Sequence, residues 1–200
     1  MTTENPETRG DLPSDHPTPP TGRGKTSYLE HLREGRQKAG PGYRHYTQAR
    51  KQGIPMVFCW YDGRHIAGII AKDGGYTFTL KTNKGRLVVD KTDLQFAYRA
   101  QSYGAVTQAI RLDERVRSLK NPPVKEIAQR HAIPDETLQQ CQQEGKRLRL
   151  TMRGGEVLEG RIEWFGAYDI KLELATGKSV VVFRHAVYSH AVIALPGGAR

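Results

Sequence analysis

The patterns that catalysis or metal binding would require are weak in this sequence. Residues 22–26 (GRGKT) resemble the end of a phosphate-binding loop, but Pro19 stands where the first glycine of such a loop belongs. His185 and His190 could approach each other, yet no cysteine or carboxylate completes a metal site with them. Cys59 and Cys141 each stand alone, without a CxxC pair. We therefore expect a protein that is not an enzyme and holds no metal or cofactor.

The charge of the chain favours a polyanionic partner. Its 200 residues include 31 lysines and arginines against 21 aspartates and glutamates, a formal net charge of +10. Such an excess is typical of proteins that bind nucleic acid, and less often of proteins that bind an anionic membrane surface. No apolar run approaches the roughly 18 residues that span a bilayer, and the first residues lack the charged-then-apolar pattern of a signal peptide, so we expect none. Together with two isolated cysteines, this predicts a cytoplasmic protein.

The N-terminal part predicts a disordered arm followed by two short helices. Residues 1–25 contain five prolines and almost no large apolar residue, so we expect a disordered arm. A capping box at Ser27 and Glu30 predicts a short helix, and a second short, basic helix is expected at 43–52.

Two strand-rich blocks follow, at 54–98 and 148–194, with β-branched and aromatic runs separated by turn glycines. About five strands fit each block. A sheet that small must curl strongly or close to bury a core. The segment between the blocks, 101–134, has helical spacing and predicts a helical linker. Its apolar stripe consists of Ala105, Ala109, Leu112, Val116 and Leu119.

The end of the linker also resembles a helix-turn-helix, which is the alternative reading of the chain. Residues 126–138 (EIAQRHAIPDETL) have the apolar spacing of that motif, with Ala132 in place of the usual turn glycine. Three helices, at about 105–119, 124–131 and 135–144, could then form a DNA-binding unit. Pro134 and the acidic residues after it oppose phosphate contact, which favours a connector.

The two strand-rich blocks are alike. A shift of 92 residues superposes nine identical positions over about 40 residues without a gap, and five of the nine are glycines. After the last glycine pair, a one-residue slip aligns the apolar strands that follow. The identical residues of the first block are Gln48, Gly53, Gly63, Gly68, Ile70, Gly74, Tyr76, Leu80 and Gly85. This spacing predicts two copies of one small β-fold, each preceded by a short helix.

The second copy carries the sharper family signature. Glycines at 155 and 160 are followed by Ile162, Phe165 and Tyr168, and residues 183–187 read FRHAV. This run resembles the Sm-like family, and within it the bacterial RNA chaperones of the Hfq type. The first copy matches less well, because its closing segment, 90–94, reads DKTDL.

The resemblance implies a mainly β protein with two strongly bent, five-stranded open barrels. They would occupy residues 43–100 and 135–195, each with an N-terminal helix, and the linker would join them. Sm-like barrels leave strand edges that pair with the next copy, and a head-to-tail contact that closes gives a ring. Rings of the Hfq type hold six copies, so two copies per chain imply a homotrimer that forms a pseudo-hexameric ring.

The resemblance also implies which residues bind RNA. Family members stack bases on an aromatic residue after the second strand and line the pore with a Lys-His pair, while basic residues at the helix end form an outer rim. Arg184 replaces the lysine of the second copy, and Thr92 replaces the histidine of the first. The implied pore-face residues are Tyr168, Arg184, His185, Tyr76 and Lys91, and the implied rim residues are Arg50, Lys51, Lys146 and Arg147.

The expected function is therefore binding of single-stranded, U-rich RNA, as an RNA chaperone or post-transcriptional regulator. Two alternatives stay open. One is the DNA-binding regulator that the helix-turn-helix pattern suggests. The other is an Sm-like scaffold that has lost its RNA pockets and binds protein.

Overall fold

The structure is a computed structural model that describes residues 40–193. The expectations for the arm at 1–25, for the helix that begins near Ser27 and for the residues beyond 193 lie outside the described residues. None of the described helices has the length and apolar character needed to cross a bilayer.

The first block follows the predicted order of one helix and five strands. Helix α1 (Pro41–Lys51) begins at a proline, whose fixed φ suits the first helical turn, and it buries Tyr46 and Ala49. A short 3-10 turn at Lys91–Asp93 precedes the last strand. The five strands are β1 (Met56–Trp60), β2 (His65–Asp73), β3 (Thr77–Thr82), β4 (Gly85–Asp90) and β5 (Leu94–Arg99).

The linker is less helical than its spacing predicts. Helix α2 (Tyr103–Ala109) stops before β6 (Arg111–Leu112), a two-residue strand that pairs with the second block. Helix α3 (Glu114–Ser118) then begins behind Asp113, whose carboxylate accepts hydrogen bonds from two backbone N–H groups of its first turn. The expected single apolar stripe is wrong, because Leu112 and Leu119 are exposed while Val116 is buried.

The three-helix DNA-binding unit does not form. Between α3 and the next helix, the described residues contain only a 3-10 turn at Ile127–Gln129, where the helix-turn-helix reading requires an α-helix at 124–131. Helix α4 (Asp135–Gln143) forms as expected, but it leads into the second block. The second block then has β7 (Arg147–Met152), β8 (Glu156–Phe165), β9 (Asp169–Leu174), β10 (Ser179–Phe183) and β11 (Val187–Ile193).

The strands of the described residues form one open, antiparallel sheet. Its order is β11-β7-β8-β9-β10-β5-β1-β2-β3-β4, with β6 beside β8. In each block the last strand therefore lies beside the first, and the other three follow in sequence. The blocks join where β10 pairs with β5, with Val181 opposite Ala97. Strands β4 and β11 form the two edges of the sheet.

The internal repeat is visible in backbone geometry. The pairing of β2 with β3 is irregular between Ile70 and Lys72, and that of β8 with β9 between Ile162 and Trp164, a shift of 92 residues. The glycines at 68 and 160 face backbone of the neighbouring strand at equivalent residues, so a side chain would crowd that strand at Gly68 and collide with it at Gly160. Three repeated glycine pairs have left-handed φ in both blocks: Gly53 and Gly145, Gly63 and Gly155, Gly85 and Gly177.

The blocks share their cores across the junction. Successive side chains of a strand point to opposite faces, so β1, β5 and β10 can each serve two cores. Val57 and Cys59 of β1 pack in a core with strands of the second block, whereas Phe58 packs with Phe78 in the core beneath α1. Phe183 of the second block joins that core beneath α1. The two blocks therefore pack as one body.

Candidate nucleic-acid interface

A cavity of about 360 Å³ lies at the junction, on the side of the sheet that carries α1. Both blocks and the helix contribute to its wall. Aromatic, cationic and acidic side chains alternate around it, so it is neither an apolar pocket nor a plain basic patch. Its lining residues are Tyr43, Tyr46, Lys72, Asp73, Gly74, Gly75, Lys91, Tyr168, Asp169 and Phe183.

Equivalent backbone hydrogen bonds hold the two tyrosine-bearing loops. The N–H of Lys91 donates to the carbonyl of Tyr76 at 2.8 Å, and the N–H of Arg184 donates to the carbonyl of Tyr168 at 2.8 Å. Each loop is thereby tied to the 3-10 turn of its own block. Tyr76 and Tyr168 remain 49% and 36% exposed as residues, which is compatible with a stacking partner on their rings.

Lys91 lies between a carboxylate and two aromatic rings. Its Nζ donates to Asp73 Oδ1 at 2.7 Å and lies 4.3 Å from the centroid of Phe78 and 5.9 Å from that of Tyr46. The side chain of Asp73 is only 4% exposed. Its second oxygen, Oδ2, has no hydrogen-bond partner, and neither has the buried hydroxyl of Tyr46. Two unsatisfied polar atoms thus belong to residues that line one cavity.

Asp169 is the second carboxylate of the cavity. It is 9% exposed, and burial raises its pKa to about 6, although the charges of Lys91 and Arg184 oppose that rise. No described residue donates a hydrogen bond to this carboxylate. It lies against α1 at Gly42, where any side chain would overlap the carboxylate oxygens. Glycine at this point of the helix therefore makes room for the acid.

The structure brings some of the predicted pore residues together. Tyr168 of the second block and Lys91 of the first both line the junction cavity, although they are far apart in the chain. Tyr76 does not line it. Tyr76 is held instead beside the end of β4, a strand at the edge of the sheet.

Arg184 differs from the expected open pore cation. Its guanidinium donates to Asp135 Oδ1 at 2.8 Å, and to the carbonyls of Gly166 and Ile133 at 2.9 and 2.6 Å. These contacts tie the start of α4 to the loop before β9. Because three acceptors occupy its guanidinium, Arg184 has a structural role in the second block. Its positive charge still acts at a distance on Asp169 in the cavity.

His185 also differs from the expected pore residue. It is 7% exposed, and its Nε2–H donates to the carbonyl of Leu94, across the junction, at 3.0 Å. Burial lowers the pKa of its imidazole to about 4. A neutral, buried histidine that joins two blocks is a packing residue, and it presents no charge to a ligand.

The predicted rim residues divide into two classes. Arg50 and Lys51, at the end of α1, are exposed and make no ion pair with a described residue. Lys146 instead pairs with Glu144, and Arg147 lies 3.6 Å from Glu159. The first block therefore offers the more available rim charge.

Sequence reasoning missed the two acids and Tyr43. A signal for the acids did exist, since both break the repeat: a shift of 92 residues places Asp73 opposite Phe165 and Asp169 opposite Thr77. A charged residue that only one copy carries, next to an aligned tyrosine or glycine, is the signal that could have identified them.

A scan against protein-family models and a search of curated proteins gave no match to this chain.

Proposed function

We propose that the protein is a single-chain pair of Sm-like barrels that binds single-stranded RNA, as a chaperone or post-transcriptional regulator. The observation that carries the proposal is the junction cavity, where Tyr168 from one block meets Lys91 from the other beneath a helix. Aromatic rings stack unpaired bases and lysines hold the phosphates between them. Lys91 donates to Asp73, so Lys72, which is exposed and also lines the cavity, is the cation available to a phosphate.

The strand order supports the Sm-like assignment. Each block places its last strand beside its first, carries a helix before its first strand, and closes with a 3-10 turn and a final strand. The last strand of the first block, β5, pairs with the fourth strand of the second block, β10. In a ring of such barrels, every contact between copies would repeat that pairing.

We further propose that three chains close into a ring of six blocks. Val181 of β10 is 1% exposed, lies opposite Ala97 of β5 and packs in the core beneath α1, whereas its counterpart on the edge strand β4, Val88, is 68% exposed. Strand β11, the counterpart of β5, forms the other edge of the sheet. Applying the junction register to a second chain places Val88 opposite His190, which would remove the exposed valine and both open edges.

RNA binding can be tested with an unstructured, fluorescently labelled U-rich 18-mer. We expect binding that weakens steeply as salt rises, since phosphate contacts release counterions. Tyr168→Ala should weaken binding by about 1–3 kcal/mol, the usual value of one stacking contact. Tyr103→Ala, which removes another exposed tyrosine from the linker helix α2, is the matched control and should bind normally.

Two results would contradict the proposal. Absence of RNA binding even at low salt would favour the protein-binding scaffold. Equal losses for the two tyrosine variants would show that the RNA does not use the junction cavity.

A further inference from the structure

The groups that line the junction cavity are unusual for a site that should read uracil. Asp73 and Asp169 offer carboxylate oxygens, which only accept hydrogen bonds when ionised. The one lysine deep in the cavity, Lys91, already donates to Asp73. The hydroxyl of Tyr46 is the remaining buried donor, and it has no partner. The cavity therefore offers a ligand one hydrogen-bond donor, the hydroxyl of Tyr46, beside the carboxylate acceptors of Asp73 and Asp169.

Buried polar atoms without partners cost free energy, so a ligand that gives such an atom a partner gains affinity. The side chain of Asp73 is 4% exposed with Oδ2 unpartnered, and Tyr46 is 2% exposed with its hydroxyl unpartnered. Asp169 receives no hydrogen bond from any described residue. A ligand for this site must bring adjacent N–H donors for a carboxylate and one acceptor for a phenol.

The four RNA bases differ in this respect. Guanine carries two neighbouring N–H donors, N1–H and the exocyclic amine, next to the acceptor O6. A carboxylate accepts such a pair in a bidentate arrangement. Uracil has one donor between two carbonyl acceptors, so its O2 would face a carboxylate oxygen. Adenine and cytosine each place a ring-nitrogen acceptor beside the amine, which again opposes a carboxylate.

We propose that the junction cavity is a guanine pocket, in which Asp169 accepts N1–H and the exocyclic amine while the hydroxyl of Tyr46 donates to O6. The inference rests on the proposed RNA-binding function and replaces the U preference that the family resemblance implies for this cavity. Tyr168 and Tyr43 lie at its wall as stacking surfaces, and Lys72 lies near the backbone of the bound strand.

The test compares three hexamer RNAs on the wild-type protein at pH 7.5: UUGUUU, UUUUUU and UUIUUU, where I is inosine. A single guanine cannot form a quadruplex, and inosine lacks only the exocyclic amine. We expect UUGUUU to bind at least tenfold tighter than either of the others. Asp169→Asn should reduce the ratio between guanine and inosine to about one, because an amide no longer accepts both protons.

Asp62→Asn is the matched control for the change in charge. Asp62 lies in the turn at the far end of β2 and pairs with Arg64, outside the cavity. This variant should keep the full preference for guanine. The comparison of guanine with inosine on wild-type protein needs no variant, so it remains decisive if Asp169→Asn folds poorly.

The remaining outcomes separate the two proposals. If UUUUUU binds as tightly as UUGUUU, the guanine pocket is wrong and the RNA-binding function stands. If no hexamer and no longer RNA binds at low salt, both proposals are wrong. Arginine presents a similar pair of N–H donors, so displacement of UUGUUU by arginine amide as readily as by guanosine monophosphate would show a peptide-binding site and overturn the guanine pocket.

Discussion

At the scale of single residues, Asp169 shows the conflict between stability and function most clearly. An acid whose pKa is higher in the folded protein than in the unfolded chain binds its proton more tightly when folded. The ionised form is therefore the one that destabilises the fold. With a folded pKa of about 6 against an ordinary value of 3.8, Asp169 lowers stability at neutral pH, and that loss disappears as pH falls through 6 towards 3.8. Such a residue is a candidate for function.

Asp169→Asn should therefore stabilise the protein at pH 7. A shift of about two pKa units corresponds to a gain of at most about 3 kcal/mol. Urea denaturation of both proteins should show this gap at pH 7 and a smaller gap at pH 4, where the acid is protonated in the folded protein and about half protonated in the unfolded chain. Asp62→Asn removes an exposed carboxylate and should give no gain. A destabilised Asp169→Asn at pH 7 would contradict the burial of an ionised acid.

The residues of the site were only partly predictable from the sequence. Tyr168 and Lys91 could be placed by the repeat, because turn glycines and the neighbouring apolar positions fix where a loop begins. The roles of Arg184 and His185 could not. They depend on acceptors far away in the chain, at Ile133 and Leu94, which no local pattern indicates.

At the scale of elements, the linker is held by a close backbone approach as well as by apolar packing. The N–H of Asp113 donates to the carbonyl of Gly155 at 2.8 Å, and β6 pairs with β8 beside it. A side chain at Gly155 would meet Cβ of Arg117 at 2.7 Å. Helix α3 therefore packs directly on the turn between β7 and β8. This contact explains why the predicted long helix breaks into shorter pieces.

Gly155→Ala should loosen this contact. The residue has φ +95, which an alanine adopts only with strain, and the added methyl group also collides with α3. We expect a loss of about 2–4 kcal/mol, the sum of backbone strain and overpacking. Hydrogen exchange of residues 113–119 should accelerate more than exchange in the strands.

The equivalent glycine of the first block provides the control. Gly63 has φ +77, but nothing lies within 4 Å of an added methyl group. Gly63→Ala should therefore show the cost of backbone strain alone. If both variants lose equal stability, α3 does not press on the turn.

The limits of sequence reasoning are clear at this scale. Strands and turns of both blocks could be predicted, because β-branched and aromatic runs and repeated turn glycines are signals that a short stretch of sequence contains. The helical spacing of 105–119 was misleading, since a two-residue strand pairing and a capping aspartate at 113 override it. Pairing with a distant strand has no signature in a window of a dozen residues.

At the scale of the whole molecule, the junction inside the chain is a template for contacts between chains. One chain already contains a complete cavity, because β10 and β5 bring Tyr168 and Lys91 together. A ring would add an equivalent junction between chains, lined by Tyr76 and by a turn whose cation, Arg184, is already engaged. If the chain binds RNA as proposed, assembly should raise the affinity for long RNA chiefly by multivalency, and the cavity within each chain should bind short RNA on its own.

Val88→Lys separates assembly from binding. Lysine on an edge strand opposes pairing with another strand, and Val88 is the exposed counterpart of the fully covered Val181. We expect mass measurement in solution to show a trimer for the wild type and a single chain for the variant. Hexamer RNA should bind each chain with nearly unchanged affinity, whereas an 18-mer should bind at least tenfold more weakly.

Leu119→Lys, the control for Val88→Lys, places the same charge at an exposed apolar residue of the linker and should remain trimeric. A wild-type protein that is a single chain at all concentrations would refute the ring, and loss of hexamer binding by Val88→Lys would show that the cavity needs a second chain.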